Sequence, residues 1–558
     1  MKTSIRLDKA RDGHTVSYKH EILPMRALFL ATAVLATTFS TSALKLPDFP
    51  VWATRYENGE STPAVVDAAG NSYVAVSGPR VVKFTPEGQI AWSTALEAGA
   101  VAAYPRPLVL DSSGNVYVSG EIYNPQGGTN AQDFVTWKVD ANGALIWRVA
   151  YDPPDGTWDY SNGVGRDDAG NLYVVGRSYS FVLQAAYNTI LKYDSDGHLL
   201  WARRYEGATN SIPNNTGAFA VNPHGGVAAI TERAIVFYSA AGDLVWSAEG
   251  PLDQPLDLPP ATFDGNDHLF VASIKFPGGI RQSALTKFSA TGEVLWKSMY
   301  ESPVEPGIFP VDLKVDALGQ AYVAADSPVL CYRFVDDDEP VLRCYQDPLI
   351  VKYSAQGEQL WASRFSFPTN VFPLVSGLAL NGTGEPYLAA RLYHIDPIID
   401  DYESHEGFVA KCDLQGNQVW SGTYDASQFQ RSLFFGGPVA DGLENLIVPA
   451  ELRDDSTYDF DLLLLKFEPF QPNPAPQVIT PPLAQTAAAG ATATFSVNAS
   501  GAGHLSYQWR FNSQPIAGAN SVTLTFPGVQ AAQAGDYSVE VRNKFGTAVT
   551  PEARLSIH

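Results

Sequence analysis

A single pattern of apolar and polar positions recurs along most of this chain. It begins as D-x-x-G-N-x-Y-V, continues through an apolar pair before K-[FYV], turns at a short D-x-x-G-type segment and ends with an apolar pair before Trp. Short apolar or alternating runs separated by Gly, Asn and Asp turns are typical of antiparallel strands. Because each copy holds four such runs, the pattern predicts a series of four-stranded antiparallel sheets.

Eight copies of the pattern follow one another between Trp52 and Phe467. Their spacing of about 52 residues is close to the length of one β-propeller blade, and a radial propeller gives every sheet a neighbour on both sides. The copies begin at Asp67, Asp111, Asp167, Asn222, Asp264, Asp316, Asn381 and Asp441. The tryptophans that end the first seven copies are Trp92, Trp147, Trp201, Trp246, Trp296, Trp361 and Trp420.

The two ends of the repeat region complement each other. The eighth copy reaches Phe467 and then runs into prolines without a Trp strand, whereas a strand-like segment from Val51 to Tyr56, VWATRY, precedes the first copy. The first strand should therefore complete the last sheet and leave no unpaired edge there. We predict an all-β chain with an eight-bladed β-propeller over 48–468, closed by exchange of the N-terminal strand.

The repeats resemble exported bacterial SBBP-type β-propeller repeats through their D-x-x-G-N-x-Y-V and G-x-x-x-W signatures, and resemble PQQ-type repeats more loosely. The resemblance extends over residues 50–468. It implies the propeller fold and indicates little about activity, because such propellers carry many functions.

A different composition begins after the repeats. Residues 469–476 contain Pro469, Pro472, Pro474 and Pro476 and are predicted to form a stiff linker. Residues 477–558 resemble a bacterial immunoglobulin-like domain, because Trp509 matches the core Trp and Gly535-Asp536-Tyr537 matches the tyrosine corner. Where the family pattern has two cysteines, this chain has Val497 and Val539. The resemblance implies a small β-sandwich that is held by aliphatic packing and acts as a spacer or contact unit.

The composition agrees with an all-β protein. Of the 558 residues, 46 are Gly and 39 are Pro, 12% are aromatic and only 17% are charged, which argues against coiled coils, long helical bundles and disorder. The net charge of −22 repels phosphate backbones and anionic headgroups. Nucleic acids and anionic membrane surfaces are therefore not expected as partners, and no pattern indicates an oligomeric state.

Residues 25–43 have the layout of a secretory signal peptide. Arg26 is followed by an apolar run from Ala27 to Ala36 and then by small residues up to Ala43. We assign 1–43 as a signal-peptide region, with Met25 as an alternative start. The apolar run is too short to span a bilayer, and no later segment has the pattern of a membrane span. The expected location is secreted, periplasmic or on the cell surface.

The three cysteines fit an oxidising compartment. Cys331 and Cys344 flank an acidic segment and are predicted to form a disulfide, which would stabilise the fold by about 3 kcal/mol. Cys412 stands where other repeats have Phe, Tyr or Val, and is interpreted as a small buried residue.

Residues with recognisable catalytic chemistry are scarce. The sequence has no zinc-type His spacing, no G-x-S-x-G elbow and no phosphate-binding glycine loop. The D-x-x-G-N turns, and Asp194 with Asp196, allow a calcium alternative, but Asp and Gly turn chemistry explains the same residues without a metal. We therefore expect no metal or other cofactor and no catalytic residue, although the question of an enzyme stays open.

Functional residues are better sought in the segments that differ between repeats. If the Trp strand is outermost, the long loops after the Trp strands and after the Tyr-Val strands open on one face. That face should gather aromatic and acidic side chains, with Asp336 and Asp338 among them. The candidate ligand-binding residues are Tyr123, Asp155, Trp158, Tyr160, Tyr332, Asp337, Tyr393, Asp400, Asp401 and Tyr402.

Three functions are compatible with these features. The first is a secreted, non-enzymatic binding or scaffold protein that recognises a glycan or an extracellular protein through this acidic, aromatic face. The second is an exported glycan-active lyase or hydrolase, which needs two carboxylates converging on that face. The third is an envelope-assembly scaffold, by analogy with PQQ-repeat propellers.

Overall fold

A computed structural model gives the fold of the chain. It describes residues 50–57, 59–60, 62–97, 103–123, 132–153, 157–180, 183–206, 218–231, 234–249, 259–275, 282–300, 308–336, 339–368, 370–396, 401–442, 444–468, 475–500, 505–543 and 546–558. The signal-peptide region lies outside these residues. The described chain is all-β, and its helical segments are two short 3-10 turns, Ser427–Phe429 and Ala531–Gln533.

The first half of the repeat region forms sheets in which strands pair in chain order. β1 (Trp52–Tyr56) precedes the first repeat and belongs to another sheet. The first repeat contains β2 (Val65–Val66), β3 (Ser72–Val76), β4 (Arg80–Phe84) and β5 (Ile90–Ala95). The second repeat contains β6 (Ala103–Leu110), β7 (Val116–Tyr123), β8 (Gln132–Val139) and β9 (Leu145–Tyr151). The third contains β10 (Thr157–Arg166), β11 (Leu172–Ser180), β12 (Ala185–Tyr193) and β13 (Leu199–Glu206). The fourth contains β14 (Ala218–Val221), β15 (Val227–Ile230), β16 (Ala234–Tyr238) and β17 (Leu244–Glu249).

The second half repeats the arrangement. The fifth repeat contains β18 (Ala261–Phe263), β19 (Leu269–Lys275), β20 (Gln282–Phe288) and β21 (Val294–Tyr300). The sixth contains β22 (Phe309–Val315), β23 (Ala321–Asp336), β24 (Glu339–Tyr353) and β25 (Gln359–Arg364). The seventh contains β26 (Val371–Leu380), β27 (Pro386–Asp396), β28 (Asp401–Cys412) and β29 (Gln418–Asp425). The eighth contains β30 (Ser432–Phe435), β31 (Val439–Ala440), β32 (Leu446–Arg453) and β33 (Phe460–Phe467).

The N-terminal strand pairs with the last strand of the repeat region. β1 runs antiparallel to β33, with Trp52 opposite Lys466 and Tyr56 opposite Leu462. The first strands of successive sheets also contact one another: β2 touches β6, β6 touches β10, and the contacts continue through β14, β18, β22 and β26 to β31, which touches β2. The second and third sheets are further joined by one parallel pairing between β8 and β10.

Buried apolar side chains lie between consecutive sheets. Each of several separate clusters takes residues from two neighbouring repeats; one joins Tyr387 of the seventh to Leu465 of the eighth. Another joins Leu464 of the eighth repeat to Val74 of the first. The fold therefore has a series of cores between sheets rather than one central core.

The recurring D-x-x-G-N motif forms a hydrogen-bonded turn. In the first repeat, Asp67 Oδ1 accepts from the backbone N–H groups of Ala69 and Asn71, both at 2.9 Å. Its Oδ2 accepts from Asn71 Nδ2 at 2.8 Å and from the Tyr73 hydroxyl at 2.9 Å. Gly70 has a φ of +82°, which a residue with a side chain rarely adopts. The motif therefore fixes the conformation of the turn between the first and second strands of the repeat.

Six of the seven closing tryptophans donate a hydrogen bond to a carbonyl of the next repeat, and Trp420 is the exception. Trp92 Nε1 donates to the Ala141 carbonyl at 3.2 Å, and Trp201 Nε1 donates to the Ala240 carbonyl at 3.0 Å. Trp52 of β1 makes the equivalent bond to the Pro86 carbonyl of the first repeat at 3.0 Å. The recurring lysine is also structural: Lys83 Nζ, for example, lies 5.1 Å from the ring centroid of Tyr73.

The C-terminal domain is a separate β-structure. Its strands are β34 (Gln477–Thr480), β35 (Gln485–Ala487), β36 (Ala493–Ser496), β37 (Asn498–Ser500), β38 (Ser506–Phe511), β39 (Gln514–Pro515), β40 (Thr523–Phe526), β41 (Gly535–Asn543), β42 (Gly546–Val549) and β43 (Ala553–Ile557). Trp509 and Val539 are fully buried in its core, together with Val497. The Tyr537 hydroxyl donates to the Gln533 carbonyl at 2.8 Å, as expected of a tyrosine corner.

Candidate functional site

The second and third repeats bring aromatic residues together at the loop end of their strands. Tyr123 ends β7, and the register places it opposite Gln132 at the start of β8. Gln132 pairs in turn with Trp158 of β10, which pairs with Tyr179 of β11. Laterally paired residues present their side chains on the same side of a sheet. The residues Tyr123, Gln132, Trp158 and Tyr179 therefore form a continuous row, here named the aromatic row.

The aromatic row is accessible at its margin. Tyr123 is 40% exposed, Tyr104 on neighbouring β6 is 48% exposed, and Trp158 and Tyr179 are half-buried. Two strand spacings separate Tyr123 from Trp158, or about 10 Å. Two of the predicted site residues, Tyr123 and Trp158, are thus brought close to each other.

A second row of side chains supports the first. Tyr160 lies two residues after Trp158, on the same side of β10, and the guanidinium carbon of Arg177 lies 5.2 Å from its ring centroid. On β7, Glu121 is buried and forms an ion pair with Arg106. Burial raises the pKa of Glu121, and the hydrogen bonds from Arg106 act in the opposite direction. These charges fix the ends of the strands that carry the aromatic rings.

One polar atom in the aromatic row still needs a hydrogen-bond donor. The amide oxygen Oε1 of Gln132 is buried, and no described residue donates a hydrogen bond to it. Buried polar atoms in folded proteins almost always have a partner. The residue that carries this buried acceptor stands between Tyr123 and Trp158 in the row.

Among the other predicted site residues that the structure describes, Tyr160 lies in the second row and Tyr393 belongs to neither row. Tyr393 lies in the seventh repeat, where the guanidinium carbon of Arg391 is 4.1 Å from its ring centroid. Asp155, Asp337, Asp338 and Asp400 lie outside the described residues, as do the side chains of Tyr332, Asp336, Asp401 and Tyr402. Their predicted role in binding stays a prediction.

The two cysteines of the predicted disulfide lie opposite each other on paired strands. Cys331 of β23 and Cys344 of β24 are direct cross-strand partners, although their side chains lie outside the described part of the chain. Cys412 is fully buried, and burial raises the pKa of its thiol to about 12. The interpretation of Cys412 as a small buried residue is confirmed.

Sequence inspection missed Tyr104, Gln132, Arg177 and Tyr179. A signal was available for one of them, because Arg177 stands four residues after the repeat tyrosine Tyr173. The same position is charged in other repeats, with Glu121, Asp326 and Arg391. No local signal identified Gln132, because its importance comes from the single pairing between two repeats.

The buried carboxylates have structural partners. Asp326 Oδ1 accepts from the Val375 N–H of the next repeat at 2.9 Å, and burial raises the pKa of this carboxyl to about 7. Among the described residues, no group of three or more His, Cys, Asp or Glu side chains could hold a metal ion. At the calcium candidate, Asp194 Oδ1 accepts from the backbone N–H groups of Asp196 and His198, both at 2.9 Å. These bonds match a turn.

Two parts of the chain match models of known protein families. Residues 133–262 match the family model described as outer membrane protein assembly factor BamB, of PQQ type. Residues 475–543 match an immunoglobulin domain model. No curated protein matches the chain. No helix in the described ranges has the length and apolar character needed to cross a bilayer.

Several solved structures are similar to the chain. The Neurospora crassa Pan2 WD40 domain is 11% identical, with a TM-score of 0.35, over 66% of this chain and 92% of that one. The extracellular domain of a hybrid two-component system from B. thetaiotaomicron is 10% identical, with a TM-score of 0.21, over 89% of this chain and 78% of that one. A chimeric titin Z1Z2 is 17% identical, with a TM-score of 0.14, over 15% of this chain and 94% of that one. From its matched regions, the chain combines propeller-type repeats with a C-terminal immunoglobulin domain.

Proposed function

We propose that this protein is an exported, non-enzymatic binding protein whose repeat region is an eight-bladed propeller closed by β1. The pairing of β1 with β33 supports the closure, and so do the contacts between successive first strands. The aromatic row is its ligand surface, and the immunoglobulin domain is a spacer or second contact unit. A location in the envelope or outside the cell agrees with the BamB-type and immunoglobulin matches.

The observation that carries this proposal is the row Tyr123–Gln132–Trp158–Tyr179. Aromatic rings offer large apolar faces at low entropic cost, and binding sites typically combine such faces with a few placed polar groups. Gln132 stands between Tyr123 and Trp158 in the row, and no described residue donates a hydrogen bond to its buried amide oxygen. This combination suits a glycan, whose sugar rings have apolar faces and hydroxyl donors.

The test is a glycan array followed by calorimetric titration of the strongest glycan. Trp158→Ala should weaken binding by about tenfold or more, because one ring face is lost. Tyr458→Ala is the matched control, because Tyr458 is 70% exposed and lies outside the aromatic row. An empty array, or equal affinities for the wild type and Trp158→Ala, would contradict the proposal.

The enzyme alternative is tested with the same glycans. Incubation with each bound polysaccharide should leave its chain length unchanged. Turnover that disappears on replacing one acidic residue of the loop face, such as Asp400, would instead establish the lyase or hydrolase.

An envelope-assembly scaffold is the second candidate, and the match of residues 133–262 to the BamB model favours it. That range includes Trp158 and Tyr179 of the aromatic row, and under this alternative the row would contact a protein. A photo-crosslinking amino acid at Tyr123 would capture an envelope protein in cells under this alternative, and the glycan array would be empty.

A further inference from the structure

One arginine between the seventh and eighth repeats is held by aromatic rings. The guanidinium carbon of Arg391, on β27, lies 4.1 Å from the ring centroid of Tyr393 and 3.4 Å from that of Phe434, on β30. Its Nε donates to Ser404 Oγ at 2.6 Å, and Ser404 Oγ donates to the Leu433 carbonyl at 3.0 Å. These contacts fix the guanidinium plane, and no hydrogen bond from Nη1 or Nη2 to a described residue is present.

No described acidic side chain forms an ion pair with Arg391. The carboxylate of Asp455, whose charge raises the pKa of Arg391, is already bound: Arg453 Nη2 lies 2.7 Å from its Oδ1, and Ser432 donates to its Oδ2. Arg391 is half-buried, but neither Nη1 nor Nη2 is among the buried polar atoms that lack a partner. Its two terminal nitrogens are thus open to solvent.

In other repeats, the residue at the position of Arg391 forms a hydrogen bond to the next repeat. In the second and sixth repeats the equivalent residues, Glu121 and Asp326, accept backbone N–H groups from Ser161 and Val375 of the next repeat. Within the described part of the eighth repeat, Arg391 forms no hydrogen bond to the backbone and contacts Phe434 instead. Its terminal N–H groups therefore do not join the two repeats as the carboxylates do.

We propose that Arg391, with Tyr393 and Phe434, binds the carboxylate group of a ligand. A fixed guanidinium presents two parallel N–H donors that match the two oxygens of a carboxylate, and a pre-organised side chain loses little entropy on binding. Burial lowers the pKa of Arg391 only to about 10, so it is charged at neutral pH. The net charge of −22 disfavours a dianionic phosphate more than a singly charged carboxylate.

The site is distinct from the aromatic row, which lies in other repeats, so its test is independent of the proposed glycan function. Calorimetric titration of the full chain compares two acidic probes with their neutral partners. Digalacturonate is compared with galactobiose, and a short peptide with a free C-terminus is compared with its amide. We expect one acidic probe to bind at least about tenfold more tightly than its neutral partner, the usual effect of charged hydrogen bonds.

Three variants assign that preference to Arg391. Arg391→Met keeps much of the side-chain volume and should abolish the preference, and Arg391→Lys should reduce it because an ammonium lacks the planar fork. Arg203→Met is the matched control, because Arg203 also stacks on a ring, that of Trp201, at 5.6 Å, and should keep the preference. Equal binding of acidic and neutral probes by the wild type would overturn the proposal, as would a preference that survives in Arg391→Met. If Arg391→Met does not fold, full affinity in Arg391→Lys would overturn it.

Discussion

At the scale of single residues, carboxylates connect neighbouring repeats through backbone N–H groups. Asp326 accepts from Val375 at 2.9 Å, and Asp312 Oδ2 accepts from Leu378 at 2.9 Å. A hydrogen bond to a charged acceptor is stronger than one between neutral groups, but burial opposes the charge. Asp326 is only 7% exposed, so burial dominates and raises its pKa to about 7.

The raised pKa of Asp326 predicts a pH dependence of stability. The folded state binds a proton more tightly than the unfolded state, so the stabilisation is complete below about pH 4 and is lost as pH rises through about 7. Asp326→Asn keeps an acceptor for Val375 and should remove this decline, which is about 4 kcal/mol at most, at about 1.4 kcal/mol per pKa unit. Denaturant unfolding between pH 4.5 and pH 8 measures it.

The control for this experiment is Asp196→Asn, in an exposed turn. It should follow the wild-type pH profile. An Asp326→Asn profile that declines as steeply as the wild type would show that Asp326 does not titrate in this range.

At the scale of elements, the pairing of β1 with β33, here named the seam, differs from the way the other outer strands are held. β9, for example, is tethered to β8 by a short turn, whereas β1 comes from far away in the chain and is held by noncovalent contacts. Arg55 of β1 donates to Asp461 of β33 at 2.6 Å, and Arg431 donates to the same oxygen at 2.7 Å. Trp52 adds its bond to the Pro86 carbonyl.

Trp52→Ala should therefore open the seam. We expect a loss of about 2–4 kcal/mol, because a half-buried ring and its hydrogen bond are removed. Hydrogen exchange should accelerate at the amides of Leu462–Lys466, which pair with β1. In the matched variant Trp147→Ala the amides of Leu462–Lys466 should exchange as in the wild type, because Trp147 contacts the second and third repeats. Unchanged exchange in β33 after Trp52→Ala would contradict a role for β1 in fastening the sheet.

The long hairpin of β23 and β24 carries the predicted disulfide. Directly opposed residues of antiparallel strands have Cα atoms about 4.5–5.5 Å apart, within the range that a disulfide needs. Protein isolated without reductant should show one reactive thiol after unfolding, that of Cys412, and three after reduction, since the chain has 3 Cys. Three thiols before reduction would show that Cys331 and Cys344 are unpaired in the isolated protein.

At the scale of the whole molecule, two domains use different means of stabilisation. The repeat region distributes its buried residues among clusters between sheets, whereas the C-terminal domain has one cluster around Phe495, Trp509 and Tyr537. Val497 and Val539 belong to that cluster, in the positions where the family pattern has cysteines.

A Val497→Cys and Val539→Cys double variant should form a disulfide across this core. We expect it to stabilise the C-terminal domain by about 3–4 kcal/mol through the loop it closes. A calorimetric scan should show this transition moving to higher temperature while the transition of the repeat region stays in place. Val497→Cys alone is the control and should not raise either transition.

The local pattern of the sequence predicted most of the architecture. Four strands per copy, Asx turns and closing tryptophans depend on residues close together in the chain, and the structure has them, including the turn of Asp67 and the Trp92 bond to the next repeat. The complementary ends around Trp52 and Phe467 also predicted the pairing of β1 with β33. Local hydrogen bonding and alternation of side chains are encoded within a few residues.

The grouping of the proposed binding residues depends on contacts that the local pattern does not encode. Trp158 and Tyr123 are neighbours only because β8 and β10 of different repeats pair at Gln132, and Arg391 meets Phe434 across the boundary of two sheets. The sequence by itself determined the repeated sheets, their turns and the C-terminal domain, because short-range geometry specifies them. Only the tertiary structure decided which side chains of separate repeats meet, because that depends on the packing of whole sheets.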